Sequence, residues 1–291
     1  MSSNSLNRGL IYMALYSITQ ALVWGLVRYL GESMSMETLF FFRNLVGFLT
    51  IVPLLPGTGL ALFRTRKLRL HLLRAVAAFV GGLSIFYAVA HAPLATVVAI
   101  TFFSPVLASF LAIFLFGESL TRSRAAVIVT GFIGVLIVLR PSAGIEADGL
   151  LAAIVTALAT AAAFLCVKKL SATESSKTTV AFPFLFILPL SAVLGATNWT
   201  PPSLAQLPLV LVMGCGISLT QFFLVKAFAA AEAGAVLPLD FLRLVVASIV
   251  GSLFFQEVVD VWVVAGSMLI LGSSVYSSWK EQKSVPARVP N

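Results

Sequence analysis

Ten stretches of about twenty residues, nearly free of charge, follow one another along this chain, and they leave it few ways to fold. In hydrocarbon no water satisfies the backbone, so each N–H and C=O must bond within the chain. A helix does this internally, and about twenty helical residues cross a core of about 30 Å. The expected spans are Gly9 to Leu30, Thr38 to Leu55, Leu72 to Ala90, Ala95 to Phe116, Arg124 to Leu139, Gly149 to Leu170, Thr179 to Thr197, Leu204 to Ala231, Gly234 to Phe255 and Val261 to Trp279. Composition agrees, with 59% hydrophobic residues, 10% charged residues and a mean hydropathy of +1.03, against ~45–50% apolar and ~25% charged in soluble domains. The fold class is an all-α integral membrane protein of ten transmembrane helices, with the bilayer as its solvent. The first span lacks a small-residue cleavage site, so no cleavable leader is expected.

The ten segments are two sets of five. Ala90 to Glu118 returns 139 positions later as Ala229 to Glu257, where nine of 29 residues are identical, among them Glu118 and Glu257. Gly9 to Leu30 returns from Gly149, setting Trp24 opposite Phe164 and Arg28 opposite Lys168. The expected domains are residues 1–140 and 141–291. Basic residues set the orientation, because Lys and Arg stay on the cytoplasmic side. With the N-terminus inside, fourteen of nineteen fall in inner segments, counting Arg74 among them, and two, Arg28 and Arg140, fall outside; Arg43, Lys226 and Arg243 lie within spans. Both termini are expected in the cytoplasm. An odd number of spans per copy inverts the second copy, and two inverted halves can exchange conformations around a central site. Spans one, three, four, six, eight and nine are the expected cavity lining.

The +8 net charge comes from these topology residues and not from a nucleic-acid surface. Cys166 and Cys215 lie inside apolar spans, as small hydrophobes. There is no HExxH, GxSxG or GxxxxGK[ST] sequence, and only two histidines. An enzyme, a metal, a cofactor and a nucleic-acid partner are therefore not expected.

Three motifs carry a resemblance: FFRNLVGF from Phe41, PVLASFLAIFLFGESLT from Pro105 and GFIGVLIVL from Gly131. With them the chain resembles the drug/metabolite transporter superfamily, specifically its ten-span EamA-type carriers, over nearly its whole length. Within that family it is similar to bacterial exporters of aromatic and other neutral amino acids. The resemblance implies a carrier in the inner membrane, moving a small molecule by alternating access and expected as a monomer. The competing reading is a proton-coupled multidrug or other metabolite carrier. Small multidrug transporters depend on a first-helix glutamate, however, and this first span offers only Thr19 and Gln20.

Charge inside a bilayer is costly, so embedded polar groups face the interior, pair or snorkel. Asp240 and Arg243 share one face at i and i+3, either as a structural pair or as the contacts for a zwitterion. Their counterparts in the first copy are Thr101 and Ser104, beside Phe102. Gln20, Trp24, Tyr87, Gln221 and Phe222 would add hydrogen-bonding and ring surfaces to the same cavity, and Pro105 and Pro238 would bend helices beside it. Arg43 is expected to anchor its helix by snorkelling outward, and Lys226 inward.

Overall fold

The computed structural model describes residues 3–50, 65–104, 107–108, 111, 122–138, 147–171, 173–230, 236, 239–240, 242–258 and 260–284. Among these residues all regular structure is helical. The elements are α1 Ser3–Gly31, α2 Met36–Leu49, α3 Leu68–His91, α4 Leu94–Thr101, α5 Arg122–Val138, α6 Ala147–Ser171, α7 Ser176–Thr197, α8 Leu207–Ala230, α9 Leu242–Phe255 and α10 Val261–Ser284. Each falls within or across one expected span. Five contain a segment long and apolar enough to cross a membrane: Leu6–Gly31, Leu68–His91, Ala147–Val167, Lys177–Thr197 and Leu207–Ala230. Pro105 and Pro238, the expected bends, lie outside the described residues, as does Glu118.

Helix starts are written twice. Ser35 caps α2 by accepting from the Thr38 N–H, and Ser175 caps α7 by accepting from the Thr178 N–H. The two hydroxyl pairs, Ser35–Thr38 and Ser175–Thr178, are themselves bonded at 2.9 and 2.8 Å. Packing follows the same duplication. The α1·α8 pairing has a counterpart in α3·α6, α2·α8 in α3·α7, and α1·α9 in α4·α6, while α2·α7, α4·α9 and α5·α10 are their own mates.

Close approach needs small residues, since lipid gives helices little hydrophobic drive to associate. Between α5 and α10, a Cβ at Gly134 would stand 2.8 Å from the Gly266 carbonyl oxygen, and one at Gly266 would stand 2.6 Å from that of Gly134. Outward faces remain apolar: Ile11, Leu22, Leu73, Val76, Leu151 and Val212 are exposed. The interior holds a cluster running from Val27 and Phe40 through Phe86 and Ile100 to Met213 and Ile270.

Candidate functional site

The helices surround a cavity of about 160 Å³. Gln20 and Trp24 reach it from α1, Thr101 from α4, Gln221 from α8 and Arg243 from α9, so five of the side chains selected from the sequence share one space. Helices α2 and α7 line it too, through Arg43, Asn44, Pro183 and Phe184, which the expected set of spans omitted.

Around Arg243 the charge is balanced. Its Nη2 donates to Asp240 Oδ2 at 2.8 Å, and Ser17 Oγ donates to Asp240 Oδ1 at 2.9 Å. The guanidinium carbon stands 5.1 Å from the Trp24 ring centre and 4.8 Å from that of Phe102, within cation–π range. Asp240 itself does not line the cavity; it supports Arg243 from behind, together with Phe102. Ser104 turns its hydroxyl onto the Thr101 carbonyl and also stays off the lining.

Tyr87 lies elsewhere. Its hydroxyl donates to Asp148 Oδ2 at 2.6 Å, and its ring stacks on His91 at 4.0 Å, with the residue 38% exposed. At about 100° per residue, position 87 is about 160° round α3 from Ile85 and about 140° from Arg74, both of which line the cavity. Phe222 is likewise turned out, 44% exposed.

Two arginines take places that sequence reasoning gave to others. Arg43 does not snorkel: it is 8% exposed, faces the cavity, and lies over the Phe40 and Phe86 rings at 4.9 and 5.3 Å. Its Nη2 donates to Asn44 Oδ1 at 3.2 Å. Arg74, expected in a basic loop segment, is buried on the cavity wall. Its Nη1 donates to the carbonyl of Thr179, and its Nη2 to Gln221 Oε1 at 3.4 Å. The reason is local. Pro183 sits inside α7 and has no N–H, so the carbonyl four residues earlier, that of Thr179, loses its helical partner and Arg74 supplies one. An internal proline with an arginine near a helix end was the sequence signal available.

At one end of the cavity the chain is tied across. Gln256 adopts a left-handed conformation, φ 54°, and the Glu257 N–H bonds the Gly251 carbonyl at 3.0 Å, which turns the chain back at the end of α9. That turn aims the Glu257 carboxylate at the free N–H of Leu94, 2.9 Å away at the start of α4, and at Arg28 of α1, with which it forms an ion pair. Arg28 also donates to the Ala92 carbonyl at 3.0 Å. The opposite end is held by Thr65 on Glu174 and by Lys67 on Thr173, both at 2.7 Å.

A polar, arginine-lined cavity inside an apolar helical shell is the arrangement that a membrane carrier requires. The chain belongs to the EamA-like transporter family, whose model matches residues 7–140 and 147–279. It is 27% identical over 280 residues to an S-adenosylmethionine uptake transporter of Rickettsia prowazekii (strain Madrid E), covering 96% of this chain and 95% of that protein. It is 30% identical over 278 residues to a riboflavin transporter of Rhizobium johnstonii, covering 93% and 92%. It is 28% identical over 271 residues to a pseudopaline exporter of Pseudomonas aeruginosa, covering 91% and 94%. A crystal structure at 16% identity matches the fold with a TM-score of 0.67, over 97% of this chain and 99% of the other. The chain is a multi-pass membrane transporter, and the family's named relatives are carriers and not enzymes.

Proposed function

We propose that this protein is a secondary carrier that moves a small organic molecule bearing a carboxylate through the central cavity by alternating access. The observation that carries the reading is Arg243, set on the cavity wall between Trp24 and Phe102 with Asp240 behind it. An arginine fork replaces the hydration that a carboxylate loses, and the Trp24 ring on the wall accepts an apolar side chain. Within this class we infer export of neutral or aromatic amino acids across the inner membrane. Gln20, Thr101 and Gln221 would offer oxygens to the ammonium group, since Asp240 is withdrawn from the wall. The relatives named for S-adenosylmethionine and riboflavin support ring-bearing cargo, although two named directions, uptake and export, occur among them.

The mechanism uses two inverted halves, residues 1–140 and 141–291, across ten spans with both termini in the cytoplasm. The mated packing pairs and the mated serine caps support it. Exchanging the halves' conformations would release one tied end while the other stays held. The test is counterflow of labelled phenylalanine, alanine, a sugar and a cationic drug in proteoliposomes, with and without a pH gradient. Movement of phenylalanine above alanine is expected; movement of the drug alone overturns the proposal in favour of a multidrug carrier.

A further inference from the structure

Among the described residues Arg43 is a cavity cation with no acid opposite it. Among the described lining residues there are three arginines and no aspartate or glutamate. Asp240 balances Arg243, and Arg74 is engaged by the Thr179 carbonyl that Pro183 leaves free. Arg43 has the Asn44 side chain and two ring faces, and its Nε, though buried, has no acceptor. Gly82 lets α3 pack closely on this group, since a Cβ there would lie 3.2 Å from Arg43 Nη2 and 2.7 Å from the Phe40 ring, and the guanidinium is left facing the cavity. Ring faces hold the guanidinium plane but offer no oxygen, so its donors wait for one that arrives from the cavity. A carboxylate or phosphate fits such a fork with two parallel hydrogen bonds.

We infer that Arg43 is the receiving group of a second acid-binding position, so that the preferred cargo is an organic anion with a carboxylate or phosphate beyond any that its own ammonium balances. This rests on the carrier reading above and moves its preferred substrate from a net-neutral amino acid to an acid that carries one more negative charge. Loading such an anion returns the wall toward neutrality, so occupied and empty states differ in charge as well as in contents. A residue that merely anchored α2 would give no such ranking of ligands by charge.

The experiment holds the ring constant and varies the charge. Purified protein in nanodiscs is titrated with 3-phenylpropionate, phenylalanine and phenethylamine, and with succinate and inorganic phosphate as ring-free acids. Binding is read by thermal melting and by quenching of tryptophan fluorescence, with Trp24 on the cavity wall. The expected order is acid, then zwitterion, then amine, with 3-phenylpropionate leading phenylalanine by about tenfold. In Arg43→Gln that lead falls to about threefold or less, and the unliganded protein melts no lower than wild type. Equal binding of phenylalanine and 3-phenylpropionate, or no response to any acid, overturns the inference even if the variant fails to fold; so does an undiminished lead in Arg43→Gln. Counterflow of the same probes separates the two readings. Transport of phenylalanine but of no acid leaves the carrier and removes the acid position. Acid binding with no probe transported leaves the acid position and removes the carrier reading.

Discussion

The two sides of the cavity hold arginine in opposite ways. On the α9 side Arg243 has a carboxylate at 2.8 Å and rings on two faces. On the α2–α3 side Arg43 and Arg74 have amide and carbonyl oxygens, rings and no carboxylate. A paired charge inside a bilayer protein is compatible with a purely structural role; an unpaired one asks for a reason. For Arg74 the reason is structural, a carbonyl orphaned by Pro183. For Arg43 no described backbone carbonyl or carboxylate supplies one, and that contrast is what the proposed acid position rests on.

The comparison breaks most sharply at Asp240. Asp240→Asn leaves Arg243 buried without its counter-charge, a loss of about 3–5 kcal/mol in comparable pairs, and both thermal stability and transport should fall. Asp240→Asn with Arg243→Gln should recover the stability. If the double variant also transports like wild type, the pair is structural and the substrate role of Arg243 is wrong.

The next effect concerns Arg74. Arg74→Gln should lower stability by about 1–3 kcal/mol, the usual consequence of a buried acceptor left unsatisfied. Pro183→Ala restores an N–H for the Thr179 carbonyl, so Arg74→Gln in that background should cost clearly less. Equal losses in both backgrounds, measured by thermal melting in detergent, would detach Arg74 from the proline.

Phe102→Ala should be milder, about 1–2 kcal/mol through the lost cation–π face and ring burial, and should weaken phenylalanine transport more than alanine transport. Equal losses would make the ring a packing element only.

The smallest effect is that of pH on the tied end. Burial lifts the Glu257 carboxyl above its ordinary 4.5, against the opposing pull of Arg28 and the Leu94 N–H. A carboxyl raised in the packed arrangement holds its proton more tightly there than when exposed. The packed form therefore gains stability as pH falls through the raised value and loses it as pH rises back through that window. Labelling of a cysteine placed at Gln256 should slow modestly on mild acidification in wild type and become indifferent to it in Glu257→Gln; an unchanged pH response in the variant would assign the effect to another group.

Much of the fold is legible in the chain because lipid makes a simple demand: among the described residues each expected span contributes a helix, and several packing pairs match under the offset of the sequence repeat. The site is less legible for a related reason. When nearly all faces of a helix are apolar, periodicity no longer tells which one points inward, so Tyr87 looks equivalent to Ile85 although the two diverge by about 160°. Arg43 and Arg74 were read by position along the chain, one as a snorkelling anchor and one as a loop cation. Their actual surroundings depend on Asn44, Phe40 and Pro183, which contribute nothing to a hydropathy profile. The paired caps Ser35 and Ser175 were readable, as a serine three residues ahead of a threonine at the same offset that relates Trp24 to Phe164.

In the alternating cycle proposed above, the Glu257 turn would set a timescale. One carboxylate touches α1 through Arg28 and α4 through Leu94 while closing α9, so it votes for one member of an equilibrium between conformers. Each ~1.4 kcal/mol that it contributes makes this conformer about ten times more populated than its rival. A stronger grip would not make a better carrier, because a protein dwelling longer on one side of its cycle turns over more slowly. Gln256, a residue with a Cβ held at φ 54° where the first copy has Gly117, carries strain that would loosen that grip and shorten such a dwell.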